Sequence, residues 1–258
     1  MVLIPQDIID FAVSLADAAR PVTRRYYRSP VEVDTKADAT PVTIADREAE
    51  AAMRALINRE RPGDGIIGEE HGREREGADW VWVLDPIDGT KSFIAGRPIF
   101  GTLIALLWEG MPVVGIIDQP ITGDRWIGVK GQMTWFNNAP ARTRACPALS
   151  QALLATTSPE MFSEQERRVF EAFRDGARTT LYGGDCINYG LLASGFLDLV
   201  IEADLKLYDY AALVPVVQGA GGIITDWSGK PLGHDSDGRV LACGDPRLLD
   251  AILGATAG

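Results

Sequence analysis

Histidine is almost absent from this sequence: among 258 residues only His71 and His234 occur. A zinc site built from His and Cys has too few donors to converge. A Ser-His-acid triad would have to use one of these two, in a chain with no Gly-x-Ser-x-Gly elbow. Cysteine is equally sparse; Cys146, Cys186 and Cys243 are scattered, form no C-x-x-C and suit a reducing cytoplasm, the expected location. Positive charge is short too. Against 36 Asp and Glu stand 25 Lys and Arg, a formal net charge of -11, and basic runs go no further than Arg24-Arg25 and Arg167-Arg168. A groove for a phosphate backbone is not expected, so nucleic acid is set aside as a partner. No stretch approaches the roughly 20 uninterrupted apolar residues of a membrane span. The opening MVLIPQDIIDFAVSLADAAR lacks a basic n-region and carries Asp7, Asp10 and Asp17, so it reads as an amphipathic helix rather than a signal peptide. No internal repeat or low-complexity segment is evident.

What remains is apolar residues, at 46%, and carboxylates. The length allows one large domain or two closely packed ones. Helical spacing runs through residues 6 to 27 and again through TPVTIADREAEAAMRALINRERPG, where Thr43 is placed to N-cap, Asp46 sits in the first turn and Pro62-Gly63 stops the helix. Turn signals at Glu109-Gly110, Thr122-Gly123 and Lys130-Gly131 then punctuate about four strands of an antiparallel meander. Beyond Pro147 the rhythm changes. Strand-like runs at 152–156, 179–182, 197–201 and 240–243 alternate with helical patterns around 163–175, 186–194, 208–219 and 246–253, which predicts an α/β layer. We therefore expect an α+β half over 1–140 and an α/β half over 141–258, joined near 138–150.

Four places set acids against backbone turns: Glu69 and Glu70 in IIGEEHG, Asp85 and Asp88 in VWVLDPIDGTKSF, Asp209 in KLYDYAAL, and Asp46 beside Thr43. If the strand ends at Leu84 and a helix starts near Thr90, Asp85 and Asp88 face the crevice outside the strand's carboxyl end. The Gly89 and Thr90 amides then form an anion site. An unpaired carboxylate in a dry site takes a proton or finds a cation, and no Lys or Arg stands near until Lys91. Carboxylates with a backbone carbonyl make an all-oxygen shell that selects a hard cation such as Mg²⁺, whose chemistry would be phosphomonoester hydrolysis. Each feature also has an ordinary reading. Asp-Pro and Asp-Gly form turns, Glu69-Glu70 suits an acidic loop, and Asp209 and Asp46 suit a helix first turn.

The order GEE, then DPIDGT with a Phe three residues on, then YDYAA resembles the inositol monophosphatase family of Mg²⁺-dependent, lithium-sensitive phosphatases, and the likeness runs from VTIAD to GAGGIITDWSG. The resemblance implies an α/β fold, a layered αβαβα sandwich of the type shared with fructose bisphosphatase, commonly dimeric, with the site between the halves. It implies two or three Mg²⁺ ions: Glu69, Asp85 and the Ile87 carbonyl for the first, Asp85, Asp88 and Asp209 for the second, and a weaker third near Glu69. Thr90 and Asp46, with Glu69, would orient and activate the attacking water, and the Gly89 and Thr90 amides would take phosphate oxygens.

Substrate choice falls to the second half. Both GGDCINYGLLASG and DGTKSF resemble the histidinol-phosphate phosphatase branch, which completes histidine biosynthesis. Its substrate carries an ammonium and a readily protonated imidazole, and Asp185 and Glu202 are placed to pair with them, with Gly184 and Asp209 alongside. Asp185 also reads as a helix N-cap, Cys186 as a small buried residue, His71 as a surface residue, and Lys91 as near the site or solvated. An inositol or broad sugar monophosphatase is the alternative within the fold. A regulatory protein that has lost turnover is the alternative outside it, and the intact acids argue against that.

Overall fold

The computed structural model describes residues 3–30, 33–35 and 41–256. Residues 1–2, 31–32, 36–40 and 257–258, which fall inside the two expected halves, lie outside the described residues. The chain opens with α1 (Gln6–Tyr26), a hairpin of β1 (Val33–Thr35) and β2 (Pro41–Thr43), and α2 (Ile44–Glu60). There follow β3 (Gly65–Gly68), β4 (Gly72–Glu74), β5 (Trp80–Asp88), α3 (Thr90–Ile94), β6 (Gly101–Trp108), β7 (Met111–Asp118), β8 (Arg125–Val129), β9 (Trp135–Phe136) and β10 (Ala139–Pro140). The remainder runs β11 (Leu153–Thr156), α4 (Glu164–Gly176), β12 (Thr179–Tyr182), α5 (Cys186–Ala193), β13 (Leu199–Glu202), α6 (Leu207–Tyr210), α7 (Leu213–Gly219), β14 (Ile223–Thr225), β15 (Val240–Cys243) and α8 (Pro246–Thr256).

An eight-stranded sheet has the order β10-β9-β8-β7-β6-β5-β3-β4, and a five-stranded sheet the order β12-β11-β13-β15-β14. The first contains the expected meander, β6 through β9, joined antiparallel, while β3 and β5 run parallel. The β6–β7 turn is Glu109-Gly110, and both residues have positive φ, the demand of the tight hairpin turn that matches strand twist. In the second sheet β11 lies parallel to both β12 and β13, as an α/β layer requires.

A strand buried on both faces explains the stacking, with successive side chains entering opposite cores. On β5, Trp82 and Leu84 face α1 and α2 in one core, with Phe11, Leu15, Ala49 and Met53, while Val81 and Val83 face the opposite core. That middle core also holds Tyr189, Leu192, Val216 and Val217 of α5 and α7, together with Val200 and Ala242 of the second sheet. The far side of the second sheet packs Leu199, Ile201 and Leu241 on Phe170 and Phe173 of α4 and Leu248 and Ile252 of α8. Helices, sheet, helices, sheet and helices follow in five layers, the expected αβαβα sandwich. The sequence pattern around 208–219 reads as one helix, but the chain breaks it into α6 and α7, and β14 was not foreseen.

The α7 backbone reaches the first sheet because β7 and β8 offer glycines there. A Cβ on Gly115 would overlap the Ala212 carbonyl oxygen, and one on Gly128 would overlap the Pro215 backbone. Gly115→Ala should therefore lower the chemical-denaturation stability by about 1–3 kcal/mol, the usual cost of overpacking. An unchanged midpoint would show that α7 shifts freely.

Candidate active site

The fold brings together carboxylates drawn from separate elements. Asp85 and Asp88 come from β5, which does not stop at Leu84 as the sequence reading expects. Its pairing with β6 runs to Asp85, skips, and resumes at Asp88, a bulge that spans Pro86 and Ile87. A proline with no N–H is tolerated at such an irregularity. The bulge turns both aspartates toward α6, which packs on β5 and carries Asp209. Carboxylate oxygens of Asp85, Asp88 and Asp209 all lie within 4.8 Å of one another.

Each acid is held by a backbone donor. Asp85 accepts the Ile87 N–H at 3.0 Å, Asp88 the Cys186 N–H at 2.5 Å, and Asp209 the Lys206 N–H at 2.6 Å. Among the described residues no ion pair joins a Lys or Arg side chain to these three. Their acidities respond accordingly. Burial, then the charges of Glu69, Asp88 and Asp209, raises Asp85 well above the usual carboxylate range. Burial, then Asp185 and Asp209, does the same to Asp88. Burial pushes Asp209 up to about 7 against the opposing Lys206 N–H. Three carboxylates that crowd one another with no organic cation among them fit a hard divalent ion. Glu69 adjoins Asp85 closely enough to hydrogen-bond with it.

Thr90 and Asp46 also converge here. Thr90 Oγ1 lies 3.1 Å from the Ile87 carbonyl oxygen and 3.4 Å from Asp46 Oδ1, so its single proton serves one acceptor at a time. The other Asp46 oxygen accepts the Thr43 N–H at 2.8 Å and the Thr43 hydroxyl at 2.6 Å, the capping box expected at the start of α2. Burial raises the Asp46 pKa, the Thr43 hydrogen bonds oppose the rise, and the charge of Glu69 adds to it.

Gly89 caps α3 in the left-handed region, with φ 89°. A Cβ there would also lie 2.7 Å from Asp185 Oδ2, so this turn and the second half meet face to face. Asp185 occupies the N-cap position of α5, but its carboxylate does not cap the helix. Held at φ 45°, it reaches across to the Ser92 hydroxyl, which donates at 3.1 Å. The N-cap expectation is corrected for that reason. Burial pushes Asp185 up to about 6, opposed by Ser92, Arg97 and Lys91. Glu202 is buried at the end of β13. It accepts the Thr157 N–H at 2.9 Å and the Tyr189 hydroxyl at 2.8 Å, and burial pushes it up to about 7. Gly184, with φ 120°, packs on Asn188 and is not among the residues that line the cavity.

Most of these acids line a cavity of about 380 Å³ between the two sheets, whereas Asp46 and Asp85 stand outside its lining. Glu69, Asp88, Gly89, Thr90 and Asp209 line it, and so do Asp185 and Glu202. Lys91 lines it too, whereas His71 is exposed and its Nε2 sits 3.0 Å from the Arg47 carbonyl oxygen. Sequence reasoning missed Thr157, Ser158, Glu160 and Asp204, which also line the cavity, together with the apolar or aromatic Met161, Tyr189, Leu205 and Leu213. One signal was present: 157–160 follows the carboxyl end of β11 and Asp204 that of β13, where α/β sheets place ligands.

A family model described as the inositol monophosphatase family matches residues 4–257. The chloroplastic bifunctional phosphatase IMPL2 of Arabidopsis thaliana is 56% identical over 231 residues, covering 89% of this chain and 67% of that protein. A histidinol-phosphatase of Mycobacterium tuberculosis is 37% identical over 230 residues, covering 86% and 88%. Among solved structures, an inositol monophosphatase from Zymomonas mobilis superposes with a TM-score of 0.90 at 53% identity, covering 98% of each chain. With this fold and a carboxylate cluster facing a single cavity, the chain belongs to the inositol monophosphatase family and is a phosphatase, a hydrolase of phosphomonoesters.

Proposed function

We propose that this phosphatase is a Mg²⁺-dependent histidinol-phosphate phosphatase that acts in histidine biosynthesis. The observation that carries the reading is the charge of the cavity lining outside the carboxylate cluster. Asp185, Glu202, Glu160 and Asp204 line it, and Lys91 is the one cationic side chain lining the cavity among the described residues. A neutral polyol gains little from such a wall, whereas an ester with an ammonium and an imidazole gains an acid for each. The name of the mycobacterial relative supports the same substrate.

In this reading Asp85, Asp88, Asp209, Glu69 and the Ile87 carbonyl hold two or three Mg²⁺ ions. Bound there, Mg²⁺ supplies Lewis-acid charge that polarises the phosphoryl group and makes a water more acidic. The remaining work belongs to the chain. The Gly89 and Thr90 amides, at the start of α3, orient the phosphate oxygens. Thr90 Oγ1 and Asp46 Oδ1 take and hold the proton of the attacking water, with Glu69 beside them, and Asp46 suits the role because burial raises its proton affinity. Residues 1–140 would supply this machinery apart from Asp209, and 141–258 would supply that ligand and the recognition wall. A cytoplasmic homodimer inhibited by lithium completes the proposal. No helix among the described residues is long and apolar enough to cross a membrane.

An inositol phosphate is the second reading, favoured by the Zymomonas mobilis structure. Phosphate release with Mg²⁺ from histidinol phosphate and inositol 1-phosphate, compared as kcat/KM, decides between them. A large preference for the histidinol ester supports the proposal, and comparable or reversed rates refute it. Asp185→Asn should cost histidinol phosphate about 10- to 100-fold in kcat/KM, the worth of one hydrogen bond to a charged group, and spare the inositol ester. Equal losses on both would mean that Asp185 serves to brace Ser92 and Gly89.

A further inference from the structure

We infer that Glu50, outside the cavity, is a positioning residue that sets the metal affinity of the site by holding the turn that carries Glu69. The inference rests on the reading of Glu69 as a metal ligand. Glu50 stands one helical turn beyond Asp46 on α2 and is 0% exposed. A carboxylate with no solvent access must find donors, and Glu50 finds them in the turn after β3. Its Oε2 accepts the Glu70 N–H at 2.7 Å, and its Oε1 accepts the His71 N–H at 3.1 Å and Arg54 Nε at 2.6 Å. Arg54, itself buried, extends the grip by donating to the Gly72 carbonyl oxygen and, at 2.7 Å, to Glu74.

The sequence around the turn is shaped by this clamp. A Cβ on Gly68 would overlap the Glu50 carboxylate and come within 2.7 Å of Arg54 Nη2, so a side chain at 68 and a carboxylate at 50 exclude each other. On the other flank the Glu69 N–H donates to the Leu84 carbonyl oxygen at 3.2 Å, one residue before Asp85. Glu69 is thus fixed at its own amide by β5 and at the next two amides by Glu50. A side chain held this way presents its carboxylate without having to order the turn when a cation arrives. Helix α2 then serves the site twice, with Asp46 facing Thr90 and Glu50 facing the back of the Glu69 turn.

The test uses the full chain without substrate and titrates it with Mg²⁺ by calorimetry. Glu50→Gln retains the shape but loses the charge that holds Arg54 and two amides. It should weaken Mg²⁺ binding roughly 10- to 100-fold, the usual effect of losing a partner behind a ligand. Amide hydrogen exchange at Glu70 and His71 should quicken, and the KM for the ester at saturating Mg²⁺ should stay within about twofold of wild type. Asp198→Asn is the control. It breaks another buried network, in the second sheet, where Asp198 accepts from Arg144 and the Leu153 N–H, and it should leave Mg²⁺ affinity unchanged. Should Glu50→Gln not fold, Gly68→Ala displaces the same carboxylate. Mg²⁺ affinity within twofold of wild type in the Glu50 variant, or an equal loss in the Asp198 variant, overturns the inference. Glu69→Gln separates the two levels: if it leaves Mg²⁺ binding intact, the ligand reading of Glu69 falls. The clamp is then judged by exchange alone, and unaltered exchange in Glu50→Gln overturns it.

Discussion

Asp88→Asn should lower kcat on the order of 10³-fold while the metal-free protein melts no lower than wild type. Asp88 Oδ2 takes the Cys186 N–H at 2.5 Å, and the carboxylate also belongs to the cluster shared with Asp85 and Asp209. Asparagine has one oxygen to serve both. Turned one way, its amide N–H opposes the Cys186 N–H; turned the other, it presents a donor to the position proposed for a cation. Either orientation spoils the site. The thermal behaviour follows from repulsion: Asp185 and Asp209 both raise Asp88, so removing its charge relieves like-charge crowding in the absence of metal. The measurement is steady-state turnover at saturating Mg²⁺ beside a melting curve in chelator. Turnover near wild type would refute the assignment of Asp88 as a ligand, and a large drop in melting temperature would make the kinetic loss one of folding.

Much of this arrangement was legible because it is local. The Thr43 and Asp46 capping box, the Glu109-Gly110 hairpin and the apolar run of Val81 through Leu84 each state their structure within a few residues. The bulge in β5 was not legible, because Asp85-Pro86-Ile87-Asp88 reads equally well as a turn. Only pairing with β6 holds it as strand. Asp185 shows the same limit: a helix amide and the Ser92 hydroxyl both offer it a donor, and the tertiary partner, 93 positions away in sequence, wins. Glu50 escaped notice because it sits mid-helix, four residues before Arg54, where an ordinary surface ion pair is the default reading. Its burial, which makes it informative, depends on strands that follow α2.

The metal-free protein should lose stability as pH rises, and Mg²⁺ should restore part of it. Asp209 and Glu202 stand at about 7 and Asp185 at about 6 in the folded chain, against about 4 when unfolded. Between these limits the folded state holds protons that the unfolded chain has released. The slope of unfolding free energy with pH is then negative. The stabilisation is complete below about pH 4 and is lost as pH climbs through 6 and 7. Because these groups repel one another their effects do not add, and the total is on the order of a few kcal/mol, or roughly 5–10 °C in melting temperature for a chain this size. A cation among Asp85, Asp88 and Asp209 favours their charged forms, so the Mg²⁺-loaded protein escapes the part of the loss that belongs to Asp209. The gap between loaded and metal-free melting temperatures should widen from pH 5.5 to 8. Asp245, pulled down to about 2 by Arg247, titrates below this window and cancels in the difference. The same linkage requires Mg²⁺ binding near pH 6 to expel protons from these carboxylates, read by calorimetry in buffers of different ionisation enthalpy. A constant gap with no proton release would mean that Mg²⁺ does not bind to these carboxylates.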